Sequence, residues 1–281
     1  MKLAVGQFDV KIGEVDTNLA SVARLAGKAA DAGADLLVLP ELCTAGYAFT
    51  DTAEMAPYAE VATATELGRA LTGWAELAAK HGMHIVGGYP EAADGAFYNS
   101  AALFGPSGLV GNFRKIHLFY NEKDLFQPGD LGFPVFDLPF GRVGLMVCYD
   151  IWFPESSRSL VLGGAELICT SGNFVTAFRR RLYDERGFTQ ADVAAMGIAA
   201  QNQVYVALSN RIGEERDLGF TGASMVAGWD GFAVSGPAAG DEEALLVVEI
   251  ELAEATRKRQ RNPRNHVVED RRPEMYRTEP A

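Results

Sequence analysis

Short apolar runs alternate with amphipathic segments along nearly the whole chain, and this alternation restricts the fold more than any other feature. It is the pattern of an α/β protein, in which strands are buried beneath helices. LAVGQFDV predicts the first strand. A helix over residues 17–32 follows, with Asp16 or Thr17 as its cap and Gly33 as its stop.

The same strand and helix unit then repeats. DLLVLPE predicts a buried strand ending at Glu41, a second helix runs from about Thr65 to Lys80, and HIVGGYP is the next strand. NSAALFGPSGLVGNFRKIHLF predicts a hairpin around its PSG turn, with Lys115 on the second arm. Further along we predict strands at GRVGLMVC, AELICTSG and VYVALSN, helices at PESSRSLVLGG and residues 191–203, and a closing pair of strands at SMVAGWDGFAV and ALLVVEIEL.

The domain organisation follows from what is missing between these elements. No linker, repeat or low-complexity stretch divides the sequence, so we predict one domain over residues 1–281. Its tail, residues 257–281, lacks an apolar face. The tail begins with the basic run RKRQRNPRNH. We expect this tail to be solvated or to lie at a subunit interface.

Charge and cysteine usage narrow the class of function. A formal net charge of −12 opposes general affinity for nucleic acid or for an anionic membrane, which favours a small-molecule substrate. Cys43, Cys148 and Cys169 are widely spaced and odd in number, so they do not form a disulfide framework. The first apolar run is too short for a signal peptide, and we predict a cytoplasmic location with free thiols.

Three reactive side chains stand at the ends of predicted buried strands, where α/β proteins usually place catalytic groups. Glu41 ends LLVLPE, Cys148 ends VGLMVC, and Lys115 lies in FRKIHLF. Each has an ordinary alternative, namely a solvated carboxylate, a buried small apolar residue and a surface charge. Together they supply what acyl transfer requires: a nucleophile, a base, and a cation for the oxyanion.

The segments LPELCTAGY, FRKIHLF and CYDIWFPES, in this order and spacing, resemble the three signatures of the nitrilase superfamily of carbon–nitrogen hydrolases. The resemblance extends to DRRPEMY near the end of the chain. It implies a four-layer αββα sandwich, subunits paired through their sheets as a homodimer or higher homo-oligomer, and a triad of Cys148, Glu41 and Lys115 that needs no metal or cofactor. It also implies a second glutamate, for which Glu122 in NEKDLFQPGD is the match.

Elementary chemistry assigns roles to these groups. A thiol with a pKa of about 8.5 is mostly protonated at neutral pH, so Cys148 needs Glu41 as general base. Attack on an amide carbonyl makes an oxyanion that Lys115 and the backbone N–H of Tyr149 stabilise. Glu122 then positions either the substrate or Lys115.

Which bond is cut depends on finer features. Nitrilases commonly follow the cysteine with Trp and Glu, whereas CYD is the form associated with amidases, which predicts a primary amide cleaved to acid and ammonia through a cysteine thioester. A nitrile remains an alternative, because small archaeal nitrilases are similar across KIHLFYNEKDLFQPGDLGF and NRIGEER; an N-carbamoyl amide is a third substrate class. From a different class, an inactive binding module on this fold is disfavoured by the intact triad.

Substrate contacts are predicted from position alone. Residues that follow the catalytic strand ends are candidates for the pocket wall, although aromatic residues there also serve packing: Tyr47, Tyr149, Trp152 and Asn173. The segment FRRRLYDERGFTQ, residues 178–190, is either a solvated loop or the source of a guanidinium for a substrate carboxylate. Its candidates are Arg179, Arg180, Arg181 and Arg186.

Two further possibilities are weaker. His81 and His84 in KHGMH pass from a helix end into a strand, so their side chains diverge and do not form a metal site. Cys43, close to Glu41, is expected to pack or to line the pocket wall, and Cys169 is expected to be an inert residue of a buried strand.

Overall fold

The computed structural model describes residues 1–178 and 181–279. Its strands are β1 (Lys2–Gln7), β2 (Leu36–Val38), β3 (His84–Ala93), β4 (Ala96–Gly105), β5 (Gly108–Arg114), β6 (Val135–Leu138), β7 (Gly141–Val147), β8 (Leu167–Ser171), β9 (Tyr205–Ser209), β10 (Glu214–Glu215), β11 (Leu218–Gly219), β12 (Met225–Ala227), β13 (Ala233–Ser235), β14 (Ala244–Glu249), β15 (Gln260–Asn262) and β16 (Asn265–His266). Its α-helices are α1 (Val15–Asp31), α2 (Thr52–Met55), α3 (Arg69–His81), α4 (Glu122–Leu125), α5 (Pro154–Leu162), α6 (Gln190–Asn202) and α7 (Leu252–Lys258).

Two six-stranded sheets form the framework. The first has the order β14-β1-β2-β3-β4-β5 and the second the order β13-β12-β9-β8-β7-β6. Each has a parallel centre, β1 to β3 in the first and β7 to β9 in the second, with antiparallel strands at its edges. The strands predicted from apolar runs at these centres are confirmed.

The sheets pack face to face, and helices cover their outer faces. Along β1, Leu3 and Val5 point into the core between the sheets, whereas Ala4 packs under α1 and α3. The alternation follows from the period of two along a strand. Helices α5 and α6 cover the second sheet, with Leu160 and Ile198 joining its core. The predicted αββα sandwich is confirmed.

The predicted closing pair of strands is wrong. SMVAGWDGFAV forms β12 and β13 beside β9 in the second sheet, whereas ALLVVEIEL forms β14 at the edge of the first, antiparallel to β1. The partner of β14 is more than 200 residues away, with Lys2 opposite Glu249. Local apolar patterning reveals a strand but not its hydrogen-bonding partner.

The two predicted helix starts are also corrected. Helix α1 begins at Val15 after Glu14, which makes no side-chain capping bond, so neither Asp16 nor Thr17 is the cap. Helix α3 begins at Arg69 rather than near residue 65. Its first N–H groups are satisfied from elsewhere in the chain, because the Glu60 carboxylate accepts hydrogen bonds from the backbone N–H groups of residues 70 and 71.

Among the described residues, no helix is both long and apolar enough to span a membrane. In the tail, β15 and β16 pair with each other and are largely exposed. Its place at a subunit interface stays a prediction, as does the single-domain organisation over residues 1–281.

A close backbone approach between β3 and the segment after β2 fixes the position of Glu41. Gly88 donates a backbone hydrogen bond to the carbonyl of Pro40 and accepts one from Cys43, at 2.9 and 2.8 Å. A Cβ on Gly88 would lie 2.4 Å from the backbone nitrogen of Leu42 and 2.5 Å from the Cα of Glu41. Only glycine fits there, because both nearest atoms are backbone.

We therefore predict that Gly88→Ala destabilises the protein by about 1–3 kcal/mol through overpacking, measured as the free energy of unfolding in urea. The matched control is Gly27→Ala in α1, where a Cβ meets nothing within 4 Å. That change should leave stability equal or higher, because alanine is favoured over glycine inside a helix. Equal unfolding midpoints for the two variants would contradict the steric argument.

Candidate active site

The structure brings the sequence-predicted groups together from separate strand ends. Lys115 and Cys148 directly follow β5 and β7, and Glu41 lies three residues beyond β2. Glu41 and Lys115 are fully buried, and Cys148 is 5% exposed. The backbone N–H of Glu41 donates to the carbonyl of Gly172 after β8, which ties the two sheets together beside the site.

Lys115 is held between two carboxylates. Its Nζ lies 2.7 Å from Oε1 of Glu41 and 2.7 Å from Oε1 of Glu122, the first residue of α4. Asn99 on β4 donates to the same Glu41 oxygen at 2.7 Å, and the Tyr47 hydroxyl donates to Glu122 Oε1 at 2.8 Å. These contacts therefore fix the position of the Lys115 ammonium and favour its charged form.

The second carboxylate oxygen of Glu41 is different. Oε2 is buried and has no hydrogen-bond partner among the described residues. A buried acceptor without a protein donor is costly, so such an atom usually binds a water or a ligand or takes part in chemistry. Because one oxygen is occupied by Lys115 and Asn99, the other is left to accept a proton.

The ionisation of these groups is governed by burial and by one another. Burial raises the pKa of Glu41 to about 7, against the opposing effect of the Lys115 ammonium. Burial alone would lower the pKa of Lys115, but the charges of Glu122 and Glu41 outweigh it and raise that pKa above its ordinary value. Burial, followed by the charge of Glu41, raises the pKa of the Cys148 thiol. The resting site is thus a neutral thiol beside an ammonium that stays charged.

The backbone at Cys148 is strained. Its φ is +43°, in the left-handed region that a residue with a Cβ seldom adopts, and it begins a 3₁₀ turn over Cys148–Trp152. The buried carboxylate of Asp150 accepts from the backbone N–H groups of Val147 and His117, at 3.2 and 3.0 Å, and lies 2.8 Å from the His117 ring Nδ1. Asp150 therefore joins the cysteine turn to the segment that follows Lys115.

The predicted substrate-binding residues divide into two groups. Tyr149, Trp152 and Asn173 line a small cavity at Cys148, and both polar side-chain atoms of Asn173 are buried without a protein partner among the described residues. The backbone N–H of Asn173 also favours the thiolate of Cys148. Tyr47, by contrast, contacts Glu122 and acts on the charged cluster.

Sequence reasoning missed several supporting residues. Asn99 gave a signal, since it is a polar residue inside an otherwise apolar strand. Glu215 gave none: its carboxylate accepts from the backbone N–H groups of Tyr47 and Ala48 at 2.8 Å, although it lies more than 160 residues away. Arg211, which is fully buried and ion-paired with Glu215, completes this support.

The remaining candidates are the arginines of residues 178–190. Arg181 donates to the carbonyl of Tyr183, and Arg186 pairs with Asp184 at 3.2 Å, so both make local contacts. Arg179 and Arg180 lie outside the described residues.

The other cysteines and the histidine pair play no part in this cluster. Burial raises the pKa of Cys43 to about 12 and also raises that of Cys169, so both thiols are neutral. Within residues 1–178 and 181–279, no group of histidine, cysteine and acidic side chains is arranged to hold a metal ion, the pair His81 and His84 included.

Comparison with known proteins decides the family. A family model described as carbon-nitrogen hydrolase matches residues 2–260. The chain belongs to the carbon–nitrogen hydrolases of the nitrilase superfamily. This hydrolase is 40% identical over 276 residues to a nitrilase of Pyrococcus abyssi, covering 98% of this chain and 99% of the relative. An N-carbamoylputrescine amidase of Solanum tuberosum is 34% identical over 289 residues, covering 94% and 89%.

A solved structure extends the likeness to three dimensions. The hydrolase matches a mutant amidase from Nesterenkonia sp. AN1 with a TM-score of 0.77 and 25% identity, over 98% of this chain and 94% of that one. The Nesterenkonia protein carries the acetamide moiety of fluoroacetamide, added covalently at its active site cysteine. Both the sequence and the fold of the chain are therefore those of the carbon–nitrogen hydrolase family of enzymes.

The raised pKa of Glu41 predicts how the free energy of unfolding of the hydrolase depends on pH. Because that pKa is about 7 in the folded protein against an ordinary 4.5, the folded state binds the proton more tightly, and stability falls as pH rises from about 4.5 to 7. We expect Glu41→Gln to be more stable than the wild type by about 1–3 kcal/mol at pH 8, and nearly equal at pH 5. Urea unfolding at both pH values measures this.

The control is Asp137→Asn, which removes a carboxylate whose side chain is 90% exposed. It should change stability little at either pH, as surface substitutions usually do. A Glu41→Gln variant that is less stable than the wild type at pH 8 would show that the ion pair with Lys115 outweighs the burial of the carboxylate.

Proposed function

We propose that this hydrolase is an amidase that converts a small primary amide to a carboxylic acid and ammonia, with Cys148 as nucleophile. The observation that carries the proposal is the arrangement around Lys115. Its ammonium is held between Glu41 and Glu122, one Glu41 oxygen has no hydrogen-bond partner among the described residues, and the charges of all three groups act on the Cys148 thiol. The covalent adduct at the cysteine of the Nesterenkonia amidase supports the same role for Cys148.

In the first half of the reaction, Glu41 accepts the thiol proton as the Cys148 sulfur attacks the amide carbon. The carbonyl oxygen becomes an oxyanion, which the Lys115 ammonium and the backbone N–H of Tyr149 stabilise. When the tetrahedral intermediate collapses, the C–N bond breaks and Glu41 returns its proton to the leaving nitrogen. Ammonia departs, and the acyl group stays on sulfur as a thioester.

In the second half, Glu41 takes a proton from a water molecule, whose oxygen attacks the thioester carbon. The second tetrahedral intermediate uses the same oxyanion donors. Its C–S bond breaks, the sulfur recovers the proton held by Glu41, and a carboxylic acid is released. One water is consumed per amide, and each catalytic group returns to its starting protonation state.

Glu122 acts through Lys115 in this scheme. It keeps the ammonium charged and aimed, and Tyr47 and the Phe119 backbone N–H hold Glu122 in turn, at 2.8 and 3.2 Å. Since these two donors and Lys115 already occupy the Glu122 carboxylate, Glu122 is a positioning residue. Asn173, with its unpaired amide, is the residue best suited to hydrogen-bond the substrate amide.

A nitrile is the second candidate substrate, and the 40% identity to the Pyrococcus abyssi nitrilase favours it. The same thiol and base would add to a nitrile carbon. An N-carbamoyl amide is the third, favoured by the likeness to the N-carbamoylputrescine amidase. The sequence Cys148-Tyr149-Asp150 favours the amide. In the structure, Asp150 accepts hydrogen bonds from the backbone N–H groups of His117 and Val147 and contacts the His117 ring, so it supports the turn that carries Cys148.

The first test is ammonia release from aliphatic and aromatic primary amides, their matching nitriles and N-carbamoyl amino acids. We predict release from amides by the wild type and a loss of at least about 10³-fold in kcat for Cys148→Ala. Cys43→Ala is the matched control, because Cys43 is the other buried thiol near Glu41 and should be dispensable.

The outcomes separate the alternatives. Ammonia from nitriles alone would replace the amidase proposal by a nitrilase, and ammonia from N-carbamoyl compounds alone by a carbamoyl hydrolase. Equal loss in the Cys148 and Cys43 variants, with both proteins folded, would remove Cys148 as the nucleophile.

The pH dependence of turnover tests the base. Glu41 must be deprotonated to accept the thiol proton, so kcat/KM should fall about tenfold per pH unit below an apparent pKa of about 7 and reach a plateau above it. Measurement of kcat/KM between pH 5 and 9 tests this fall, the acid limb of the profile.

Asp192→Asn is the control for this profile. Burial raises the pKa of Asp192 to about 7 as well, but this carboxylate caps α6 through Thr189 and is not among the groups that act on Glu41. The acid limb should survive in this variant. A limb that disappears with Asp192, or a flat profile from pH 5 to 8 in the wild type, would contradict the role given to Glu41.

A further inference from the structure

Four aromatic side chains form a continuous cluster beside the nucleophile: Phe119, Tyr120, Tyr149 and Phe178. The ring centroids of Phe119 and Tyr149 are 5.1 Å apart, those of Tyr120 and Phe178 are 5.1 Å apart, and those of Phe119 and Phe178 are 6.1 Å apart. These separations are those of interacting aromatic pairs. We call this group the aromatic cluster.

Two of these rings are unusually exposed for their size. Phe178 is 69% exposed and Tyr120 is 58% exposed. Phe178 also has a φ of +65°, a strained backbone conformation for a bulky residue. A contiguous exposed apolar surface on a folded protein commonly marks a binding site, and here it adjoins the candidate active site.

The cluster lines a second cavity that adjoins the cavity at Cys148. Phe119 and Tyr149 line both. The second cavity, of about 260 Å³, is completed by Leu118, Tyr120, Lys123 and Phe178. An enclosed apolar cavity of about 150 Å³ is enough to bind benzene; the second cavity is more open to solvent, and its volume is sufficient for a single ring.

Charge indicates what kind of group fits. Among the described residues, the lining of the second cavity includes no carboxylate, and its one ionisable cation is Lys123, which is exposed. A cationic substituent would meet a like charge and no counter-ion. A neutral ring meets four aromatic faces or edges, which suits the quadrupole of an aromatic group.

We propose that the aromatic cluster is the subsite for the acyl side chain of the substrate, and that the preferred substrates are primary amides of neutral aryl-substituted acids. This rests on the proposed function, since with ammonia as the leaving group only the acyl side of the substrate carries a side chain. With the carbonyl carbon at Cys148, that side chain runs along Phe119 and Tyr149, which line both cavities, and reaches Tyr120 and Phe178.

The test compares kcat/KM for 3-phenylpropanamide and propanamide in the wild type, Phe178→Ala and Phe178→Leu. We expect a preference of at least tenfold for the phenyl compound in the wild type. It should fall by about five- to tenfold in Phe178→Ala and less in Phe178→Leu, which keeps apolar area but removes the ring. Phe232→Ala is the matched control, because Phe232 is 72% exposed and lies elsewhere on the surface; it should keep the wild-type ratio.

A binding measurement separates this proposal from the proposed function. Calorimetry on Cys148→Ala should show at least about fivefold tighter binding of 3-phenylpropanamide than of propanamide, and the difference should vanish when Phe178→Ala is added. If binding follows this pattern while the wild type hydrolyses neither amide, the proposed function fails and the subsite stands. Equal binding of the two amides, or a ratio unaffected by Phe178→Ala, overturns the subsite, as does a preference for an amine-bearing amide.

Discussion

The structure of the site depends on one buried interaction, the ammonium of Lys115 held between the carboxylates of Glu41 and Glu122. Burial, with the charge of Glu122 as a smaller cause, raises the pKa of Glu41 to about 7 against the opposing effect of the Lys115 ammonium. Buried ion pairs of this kind contribute little to net stability because desolvation offsets their attraction. What the arrangement provides is direction: the ammonium, one free carboxylate oxygen and the thiol are fixed before any substrate arrives, which is the condition for effective electrostatic catalysis.

Support for this cluster comes from parts of the chain that are remote in sequence. Asp150 ties the strained turn of Cys148 to the segment after Lys115, and Glu215, paired with Arg211, holds the loop that carries Tyr47. These carboxylates accept several backbone N–H groups, so they secure loops that have no regular secondary structure of their own. The two sheets supply the rigid ends of β2, β5 and β7. The buried polar contacts then fix the side chains that follow those ends relative to one another.

The groups proposed for catalysis and those proposed to contact the substrate lie on different kinds of structure. Glu41, Lys115 and Cys148 follow strands of the central sheets, whereas Phe119, Tyr120 and Phe178 lie on connecting segments. Such a division is common in enzymes, because loops change without disturbing the core.

The sequence by itself determined the α/β class, most strands and helices, and the three catalytic candidates, because apolar periodicity and the motifs around Glu41, Lys115 and Cys148 are local properties. It did not determine that β14 pairs with β1, that Glu60 caps α3, or that Asn99 and Glu215 support the site. Nor did it reveal the aromatic cluster. Each of these depends on which segments meet in space, and hydrogen-bond pairing and ring contacts between segments leave no periodic trace in the chain. Only the tertiary structure decided them.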